Sequence, residues 1–321
     1  MNDLILVVMG GTSSEREISL KSGEAMYKAL LEKGYNAERF ILDKDNAADV
    51  IAKKPACVML ALHGRGGEDG SIQGMLEIAG IPYTGSRVAS SAMCMDKIFT
   101  KKMLAYDGIP TAKFISVLRN ERFDAVALAD EAIKKLGLPV VVKAPREGSS
   151  VGIEIVKEKE RLAGAIEEIY KYDSEILLEE FLPGTEMTVP VIKDEEGIKI
   201  LPIIEIVSEN EFYDFESKYT AGMSHHIIPA RISADVEEAI WQMAKDTYIA
   251  MNCDGLARVD FMLDKDGDPR VVEVNTLPGM TATSLAPDAA AHVGISFADL
   301  VEMILKTAVS SIVYFDKDKN K

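Results

Sequence analysis

The chain begins with short apolar runs that alternate with helical patterns. Residues 4–8 form a run typical of a buried strand, and residues 15–33 carry a helical pattern that ends at a glycine. A second apolar run at 56–62 leads into a glycine-rich loop at 63–70. Parallel sheets place such polar loops, and their ligands, at the carboxyl ends of the strands. The pattern therefore predicts a parallel α/β region over about residues 1–95.

The remainder of the chain divides into two further stretches. In residues 96–183 we expect helices near 96–106, 124–135 and 158–170 and strands near 113–118, 139–143 and 175–181. In residues 184–321 we expect β-rich runs at 186–192 and 199–206, a long polar loop at 208–224, helices at 234–251 and 297–312, and a strand pair around a turn at 264–268.

Composition narrows the class of protein. The chain has 36 Lys and Arg against 52 Asp and Glu, a formal net charge of −16, which disfavours a nucleic-acid partner because such proteins normally present a basic face. No apolar stretch approaches the roughly 20 residues of a membrane helix, and no basic residue precedes the first apolar run as in a secretory signal. The three widely spaced cysteines suit neither a disulfide framework nor a zinc site. We expect a cytoplasmic protein without a membrane partner.

The most informative chemistry lies in the strand pair around the turn at 266–267. Side chains alternate along a strand, so Arg258 and Asp260 share one face of the first strand, and Glu273 and Asn275 share one face of the second. Two carboxylates and an amide oxygen are hard ligands that suit Mg²⁺, provided that the register brings the two faces together. The alternative is a solvated face with ordinary ion pairs, which an asparagine inside a strand disfavours.

Three glycine-rich loops are further candidates for binding. Lys143 ends an apolar strand shortly before the loop 147–152. The lysine can supply a positive charge, and the loop can supply backbone N–H groups, to a bound phosphate. A plain surface turn explains the same pattern about as well. His63 opens the second loop at the end of a strand. The third loop leads into Glu15 at the start of a helix, where a carboxylate is stabilised by the helix dipole and equally suits a substrate ammonium.

Taken together and in this order, the motifs resemble those of D-alanine–D-alanine ligases of the ATP-grasp superfamily. The segments that carry the resemblance are 10–17, 63–70, 83–86, 96–97, Lys143 with 148–150, 212–219, 258–260, 273–280 and 284–285. The resemblance implies an α/β protein with α+β character in its C-terminal part. Its implied domains are a parallel-sheet substrate-binding domain (1–95), a central ATP-grasp lid domain (96–183) and a catalytic domain with the metal site (184–321).

The resemblance also implies roles for individual residues. The implied ligands of two Mg²⁺ ions, which Mn²⁺ can replace, are Asp260, Glu273 and Asn275. ATP is the implied co-substrate, and its binding residues are Lys97, Lys143, Ser150, Glu179, Phe181, Leu182, Glu186 and Lys218. The implied catalytic residues are Glu15, Ser149, Tyr219, Arg258 and Gly279, with substrate contacts from Glu15, His63, Ser284 and Leu285. The polar loop 208–224 is the implied lid.

The implied activity is the ATP-dependent joining of two D-alanines through a D-alanyl phosphate, for peptidoglycan precursor synthesis, in a homodimer. A D-alanine–D-lactate ligase is the nearest alternative, and the pair Lys218-Tyr219 disfavours it. A non-catalytic ATP-grasp binding protein would lack the metal triad or Arg258. A dinucleotide oxidoreductase is disfavoured because Asp69 stands where the third glycine of its fingerprint belongs. The chain departs from the family in reading Lys143-Ala-Pro, where proline more often follows the lysine directly.

Overall fold

The computed structural model describes residues 3–118, 123–148, 152–194, 196–208 and 224–316. Four predicted site residues lie outside this part of the chain: Ser149, Ser150, Lys218 and Tyr219. Most of the predicted lid at 208–224 also lies outside it. Among the described residues no helix is long and apolar enough to cross a lipid bilayer. The three cysteines are buried and free.

The amino-terminal region is built on a three-stranded parallel sheet with the order β2-β1-β3. Its strands are β1 (Ile5–Gly10), β2 (Ala37–Leu42) and β3 (Cys57–Leu60). The helices here are α1 (Arg16–Glu32), α2 (Ala47–Ala52), α3 (Ser71–Ile78) and α4 (Val88–Met95). Every residue of β1 is buried because the central strand of a parallel sheet is covered on both faces. The predicted parallel α/β region is confirmed.

A four-stranded antiparallel sheet follows, with the order β4-β7-β5-β6. Its strands are β4 (Phe114–Leu118), β5 (Val140–Lys143), β6 (Ile153–Val156) and β7 (Glu175–Glu180). The helices are α5 (Lys97–Tyr106), α6 (Ala125–Leu136) and α7 (Lys159–Ile169). The side chains of Asp96 and Asp124 accept backbone N–H bonds at the starts of α5 and α6, which explains why both helices begin there.

The third sheet has six strands, in the order β11-β10-β8-β12-β13 with β9 paired to β8. Its strands are β8 (Glu186–Asp194), β9 (Gly197–Ile200), β10 (Ile204–Ser208), β11 (Ser224–Ile227), β12 (Leu256–Leu263) and β13 (Pro269–Asn275). The helices are α8 (Ala234–Ala250), α9 (Leu285–His292) and α10 (Phe297–Asp316). The β-rich run expected at 199–206 is confirmed, but it is divided into β9 and β10. Two strands flank Pro202, which has no N–H to donate to a ladder.

The hairpin formed by β12 and β13 has the register that the polar pattern required. Arg258 lies opposite Asn275, and Asp260 lies opposite Glu273, with a register shift directly after Asp260. The two polar faces therefore coincide, as predicted. The three sheets fall inside the three predicted segments, while the domain boundaries at 95/96 and 183/184 stay predictions.

Candidate active site

Two adjoining cavities lie where the three sheets meet. The first, here called the α1 cavity, has a volume of about 730 Å³ and lies between α1, the loop after β3 and the segment from β13 to α9. The second, here called the sheet cleft, has a volume of about 940 Å³ and lies between the four-stranded and six-stranded sheets. The residues that line both cavities are Lys97, Glu147, Arg258 and Glu273. A ligand in one cavity can therefore meet a ligand in the other at this junction.

Arg258 holds the carboxylate of Asp260 at the junction. Its Nε donates to Asp260 Oδ1 and its Nη2 to Asp260 Oδ2, both at 2.8 Å. Thr188 Oγ1 donates to Oδ1 at 2.5 Å, and Asn275 Nδ2 donates to Oδ2 at 2.9 Å. Bidentate pairs of this kind fix both position and orientation. The guanidinium is thereby aimed along the polar face of the hairpin.

Lys97, the first residue of α5, joins the hairpin to the loop after β5. Its Nζ lies 3.3 Å from Glu273 Oε2 and donates to the carbonyl oxygen of Glu147 at 2.9 Å. The same loop is held from the other side by Arg146, which forms ion pairs with Asp96, Asp173 and Glu175. The glycine-rich loop predicted to bind phosphate therefore begins at a fixed place beside the junction.

Three glycine-rich loops that are distant in sequence meet around Glu15, the residue directly before α1. A Cβ atom on Gly64 would lie 2.7 Å from Glu15 Oε2, and one on Gly148 would lie 3.2 Å from it. The first distance is closer than real Cβ atoms come to a neighbour, and the second is tighter than most. Glycine at both positions thus lets the backbone approach the carboxylate, which lines the α1 cavity.

His63 lies in the wall of the α1 cavity and is 7% exposed. Its Nδ1 is 3.1 Å from the carbonyl oxygen of Leu277, and its Nε2 is 3.1 Å from Ser22 Oγ. Burial lowers the pKa of the imidazole and Arg258 lowers it further, while Glu15 acts in the opposite direction. Both ring nitrogens are thus engaged by the protein.

Glu68 is a second titratable group in this cavity, and sequence reasoning did not single it out within the loop 63–70. Its Oε2 accepts from the N–H of Gly64 at 2.7 Å, and its Oε1 faces the N–H of Leu277 at 3.4 Å. Burial, with a further contribution from the charge of Glu15, raises the pKa of Glu68 to about 8, although both N–H bonds and Arg258 oppose the shift.

We expect Glu68→Gln to gain stability relative to the natural chain as pH rises. The Glu68 pKa is raised from 4.5 to about 8 on folding, so between these values the folded state binds more protons and stability falls with rising pH. Glutamine does not titrate, so the variant avoids this decrease in unfolding free energy, which amounts to roughly 2–4 kcal/mol between about pH 5 and pH 8. Urea unfolding of both proteins at several pH values measures the difference. A difference that is constant with pH would contradict the shift.

A buried group of three charges forms the wall of the sheet cleft. The carboxylate of Glu179 forms ion pairs with Lys101, at 2.5 Å, and with Lys143. Lys101 also donates to Thr111 Oγ1 at 2.8 Å. Burial and the neighbouring charge of Lys143 hold the pKa of Lys101 well below its ordinary value. Lys143 thus lines the cleft with its ammonium group paired to the buried carboxylate of Glu179.

Substitutions in this group should have unequal effects. Glu179→Gln leaves two buried lysines without a carboxylate, and breaking a buried pair in this way costs about 3–5 kcal/mol of unfolding free energy. Lys101→Met leaves the Glu179–Lys143 pair intact and removes a buried charge, so we expect a loss of about 1–2 kcal/mol or less. Urea denaturation measures both values. Equal losses would show that Glu179 does not hold the two lysines together.

The structure brings the described candidate residues to the two cavities. Those lining the sheet cleft are Lys97, Lys143, Glu179, Phe181, Leu182, Glu186, Asp260, Arg258 and Glu273. Those lining the α1 cavity are Glu15, His63, Asn275, Gly279, Ser284 and Leu285, again with Lys97, Arg258 and Glu273. Lys101, Glu68 and Glu147 were missed. Glu147 and Glu68 belong to loops already marked by their glycines, whereas nothing local distinguishes Lys101 from a surface lysine of α5.

Comparison with known proteins gives consistent results. Residues 43–86 match the family described as D-ala D-ala ligase N-terminus, and residues 103–306 match D-ala D-ala ligase C-terminus. The D-alanine–D-alanine ligase of Carboxydothermus hydrogenoformans is 49% identical over 93% of this chain and 96% of its own length. That of Pelotomaculum thermopropionicum is 48% identical over 95% of this chain and 96% of its own length. The crystal structure of the Bacillus anthracis D-alanine–D-alanine ligase complexed with ATP has a TM-score of 0.83 and 36% identity, covering 96% of this chain and 98% of that one.

Two antiparallel sheets that enclose a lysine-bearing cleft, next to a parallel α/β region with its own cavity, define a ligase of the ATP-grasp class. Within that class the chain belongs to the D-alanine–D-alanine ligase family.

Proposed function

We propose that the chain joins two molecules of D-alanine to D-alanyl-D-alanine at the expense of ATP. The observation that carries this proposal is the junction of the two cavities. There a phosphate group of a ligand in the sheet cleft and the carboxylate of a ligand in the α1 cavity can come into contact beside Arg258. Family membership supports the same reaction, and synthesis of the peptidoglycan precursor of the cell wall is its use. The reaction belongs to the acid–amino-acid ligases.

ATP is the proposed occupant of the sheet cleft. Apolar contact for the base is available at Phe181 and Leu182, and Glu186 is suited to accept hydrogen bonds from ribose hydroxyls. Lys97 and Lys143 supply positive charge toward the phosphates. Glu179 is proposed to lie, with Phe181, Leu182 and Glu186, at the adenine and ribose end of ATP. Ser150 and Lys218, which lie outside the described residues, are proposed to complete the site.

Asp260, Glu273 and Asn275 are the proposed holders of two Mg²⁺ ions, with Mn²⁺ as a substitute. Two carboxylates and an amide form an oxygen donor set of the kind Mg²⁺ prefers, and both carboxylates line the cleft beside the proposed phosphates. Within the described ranges no group of three or more His, Cys, Asp or Glu side chains is arranged for a metal. This fits an ion that is held by few protein ligands together with substrate phosphates. When bound, Mg²⁺ would offset the negative charge of the transferring phosphoryl group.

The first D-alanine is proposed to lie in the α1 cavity with its ammonium group at Glu15, supported by Ser149 and Tyr219. The second D-alanine and the leaving phosphate are proposed to contact Ser284 and Leu285. Arg258 and the N–H of Gly279 are the proposed donors to the tetrahedral oxyanion. His63 is proposed to stand beside the first subsite.

Two chemical steps follow from this placement. A carboxylate is a poor electrophile, so its oxygen first takes the γ-phosphoryl group of ATP, forming D-alanyl phosphate and ADP. The amine of the second D-alanine then attacks the acyl carbon, phosphate leaves, and the amine gives up a proton. Negative charge on the acyl oxygen is stabilised by Arg258 and the N–H of Gly279. The lid at 208–224 is proposed to exclude water, which would hydrolyse the acyl phosphate.

The proposal is tested by phosphate release with Mg²⁺ and ATP. The substrates are D-alanine, L-alanine, or D-lactate with D-alanine, and product masses are read afterwards. We expect phosphate and D-alanyl-D-alanine from D-alanine alone. A D-alanyl-D-lactate product formed in preference would support the depsipeptide alternative. ATP binding without turnover of any of these substrates would contradict the proposed ligation.

A homodimer and a cytoplasmic location complete the proposal. Neither nucleic acid nor membrane is proposed as a partner, because the net charge of −16 disfavours nucleic acid and no apolar stretch of the sequence approaches the length of a membrane helix. Sedimentation velocity of the purified chain measures the oligomeric state, and a monomer at micromolar concentration would contradict the dimer.

A further inference from the structure

We propose that Ser22 and His63 are positioning residues that hold the Gly279 backbone at the reaction centre through a relay of hydrogen bonds. Ser22 lies in the middle of α1, and His63 lies just after β3. The relay ends on the loop 277–280, between β13 and α9. The inference rests on the proposed function, in which the N–H of Gly279 is an oxyanion donor. His63 here acts through the loop and needs no contact with substrate.

Three hydrogen bonds form the relay. The N–H of Met280 donates to Ser22 Oγ at 3.1 Å. Ser22 Oγ lies 3.1 Å from His63 Nε2, and His63 Nδ1 lies 3.1 Å from the carbonyl oxygen of Leu277. Ser22 is fully buried, so water does not compete for these bonds. The loop is thus held at both ends, with Gly279 and one proline between the two fixed points.

The positions of the protons follow from the partners. A carbonyl oxygen only accepts, so His63 Nδ1 must carry a proton toward Leu277. In a neutral imidazole Nε2 then carries no proton and accepts, so Ser22 Oγ accepts from the N–H of Met280 and donates its own hydrogen to Nε2. One neutral tautomer therefore satisfies every bond of the relay. Burial and Arg258 favour this neutral form, while the charge of Glu15 opposes it.

The relay reaches the chemistry through the backbone of the loop. Gly279 lines the α1 cavity, and a Cβ atom there would lie 2.9 Å from Ser284 Oγ, so its backbone lies against the start of α9. An oxyanion donor is effective only within a few tenths of an ångström of the right place. Loss of the Ser22 hydroxyl would remove the hydrogen bonds to the N–H of Met280 and to His63 Nε2 together. Of the relay, only the hydrogen bond between His63 and the carbonyl oxygen of Leu277 would remain.

The test compares Ser22→Ala with Ser19→Ala. Ser19 is a matched control because it lies one turn earlier on α1, is equally buried, and bridges Gly10 N–H and the carbonyl oxygen of Ala61, each at 2.8 Å. We expect kcat of Ser22→Ala to fall about tenfold, in the range seen for residues that orient a catalytic group, with KM for ATP within about twofold. Ser19→Ala should lose similar thermal stability and keep kcat within about twofold. Equal kcat losses in the two variants would overturn the proposal.

A second measurement tests the relay without activity. The chain has 4 histidines, so ring signals of the ¹⁵N-histidine-labelled free protein can be assigned by single substitutions. We expect His63 protonated at Nδ1 only, and in Ser22→Ala a shifted Nε2 signal. In uniformly ¹⁵N-labelled protein we expect faster exchange of the Met280 amide in Ser22→Ala. A proton on Nε2 in the natural chain, or unchanged Met280 exchange, would overturn the relay. Because no substrate is present, failure of the ligase reaction would not be mistaken for failure of the relay.

Discussion

Replacing Arg258 by alanine is expected to lower kcat by on the order of 10²–10³-fold, the loss typical of removing one oxyanion donor. Arg258 lines both cavities, and its side chain is 15% exposed. Among the described residues it is the arginine that lines the α1 cavity, and it also holds Asp260 bidentately at 2.8 Å. Alanine therefore removes the donor and leaves a carboxylate with less charge compensation. Steady-state phosphate release with D-alanine and ATP measures the loss.

The hairpin provides its own control for this variant. Arg270 forms a similar pair with Asp264, with its Nε at 3.0 Å and its Nη2 at 2.6 Å from Oδ2, but it lines neither cavity. Arg270→Ala should keep kcat within about twofold of the natural chain. Arg258→Lys keeps the charge without the planar fork and should fall between alanine and arginine. A kcat for Arg258→Ala close to that of Arg270→Ala would remove Arg258 from the proposed role.

Replacing Glu273 by glutamine is expected to raise the Mg²⁺ concentration needed for half-maximal activity at saturating ATP. Loss of an outer partner of a metal site already costs about 10- to 100-fold in affinity, so loss of a direct ligand should cost at least as much. Glutamine offers one neutral oxygen in place of a carboxylate and also loses the pair with Lys97, which is 3.3 Å away. Magnesium titrations of phosphate release, at fixed free ATP, measure the change.

Asp268→Asn is the matched control, since this carboxylate is on the same hairpin, is 71% exposed and lines neither cavity. Its magnesium titration should overlay that of the natural chain. Binding of Mn²⁺ to each protein with ATP, followed by electron paramagnetic resonance, gives a readout that does not depend on turnover. If the Glu273→Gln titrations also overlay, the hairpin is not the metal site.

For helices and strands with strong local sequence signals, the predicted first and last residues lie within a few residues of the observed ones. The helix expected at 234–251 is Ala234–Ala250, and its start coincides with Ser233, whose side chain accepts the N–H of Val236. Shorter elements such as β6 and β11 were not predicted. Four-residue strands bury little surface alone and exist because a neighbouring strand supplies their hydrogen bonds. Only the pairing with β5 and β10 therefore defines them.

Some residues of the candidate site could likewise be recognised from the local sequence, and others could not. Motif residues such as Glu15, Lys143 and Glu273 stand out by their position at strand ends, at helix starts or beside glycines. Ser22 and Lys101 do not, because each lies inside a helix of ordinary composition. Their importance comes from partners on other segments, such as Met280 for Ser22, 258 residues away along the chain. No local pattern carries that information.

The amino-acid sequence alone established which side chains share a face: Arg258 with Asp260, and Glu273 with Asn275, because alternation along a strand is a property of the local backbone. It also determined the parallel character of the first region and the glycines at its loops. The register that joins the two faces, the junction of the α1 cavity with the sheet cleft, and the contact of His63 with Leu277 across 214 residues became known only from the folded structure. The face of a strand to which a side chain points depends on the backbone of neighbouring residues. The residue that it contacts depends on how distant segments pack.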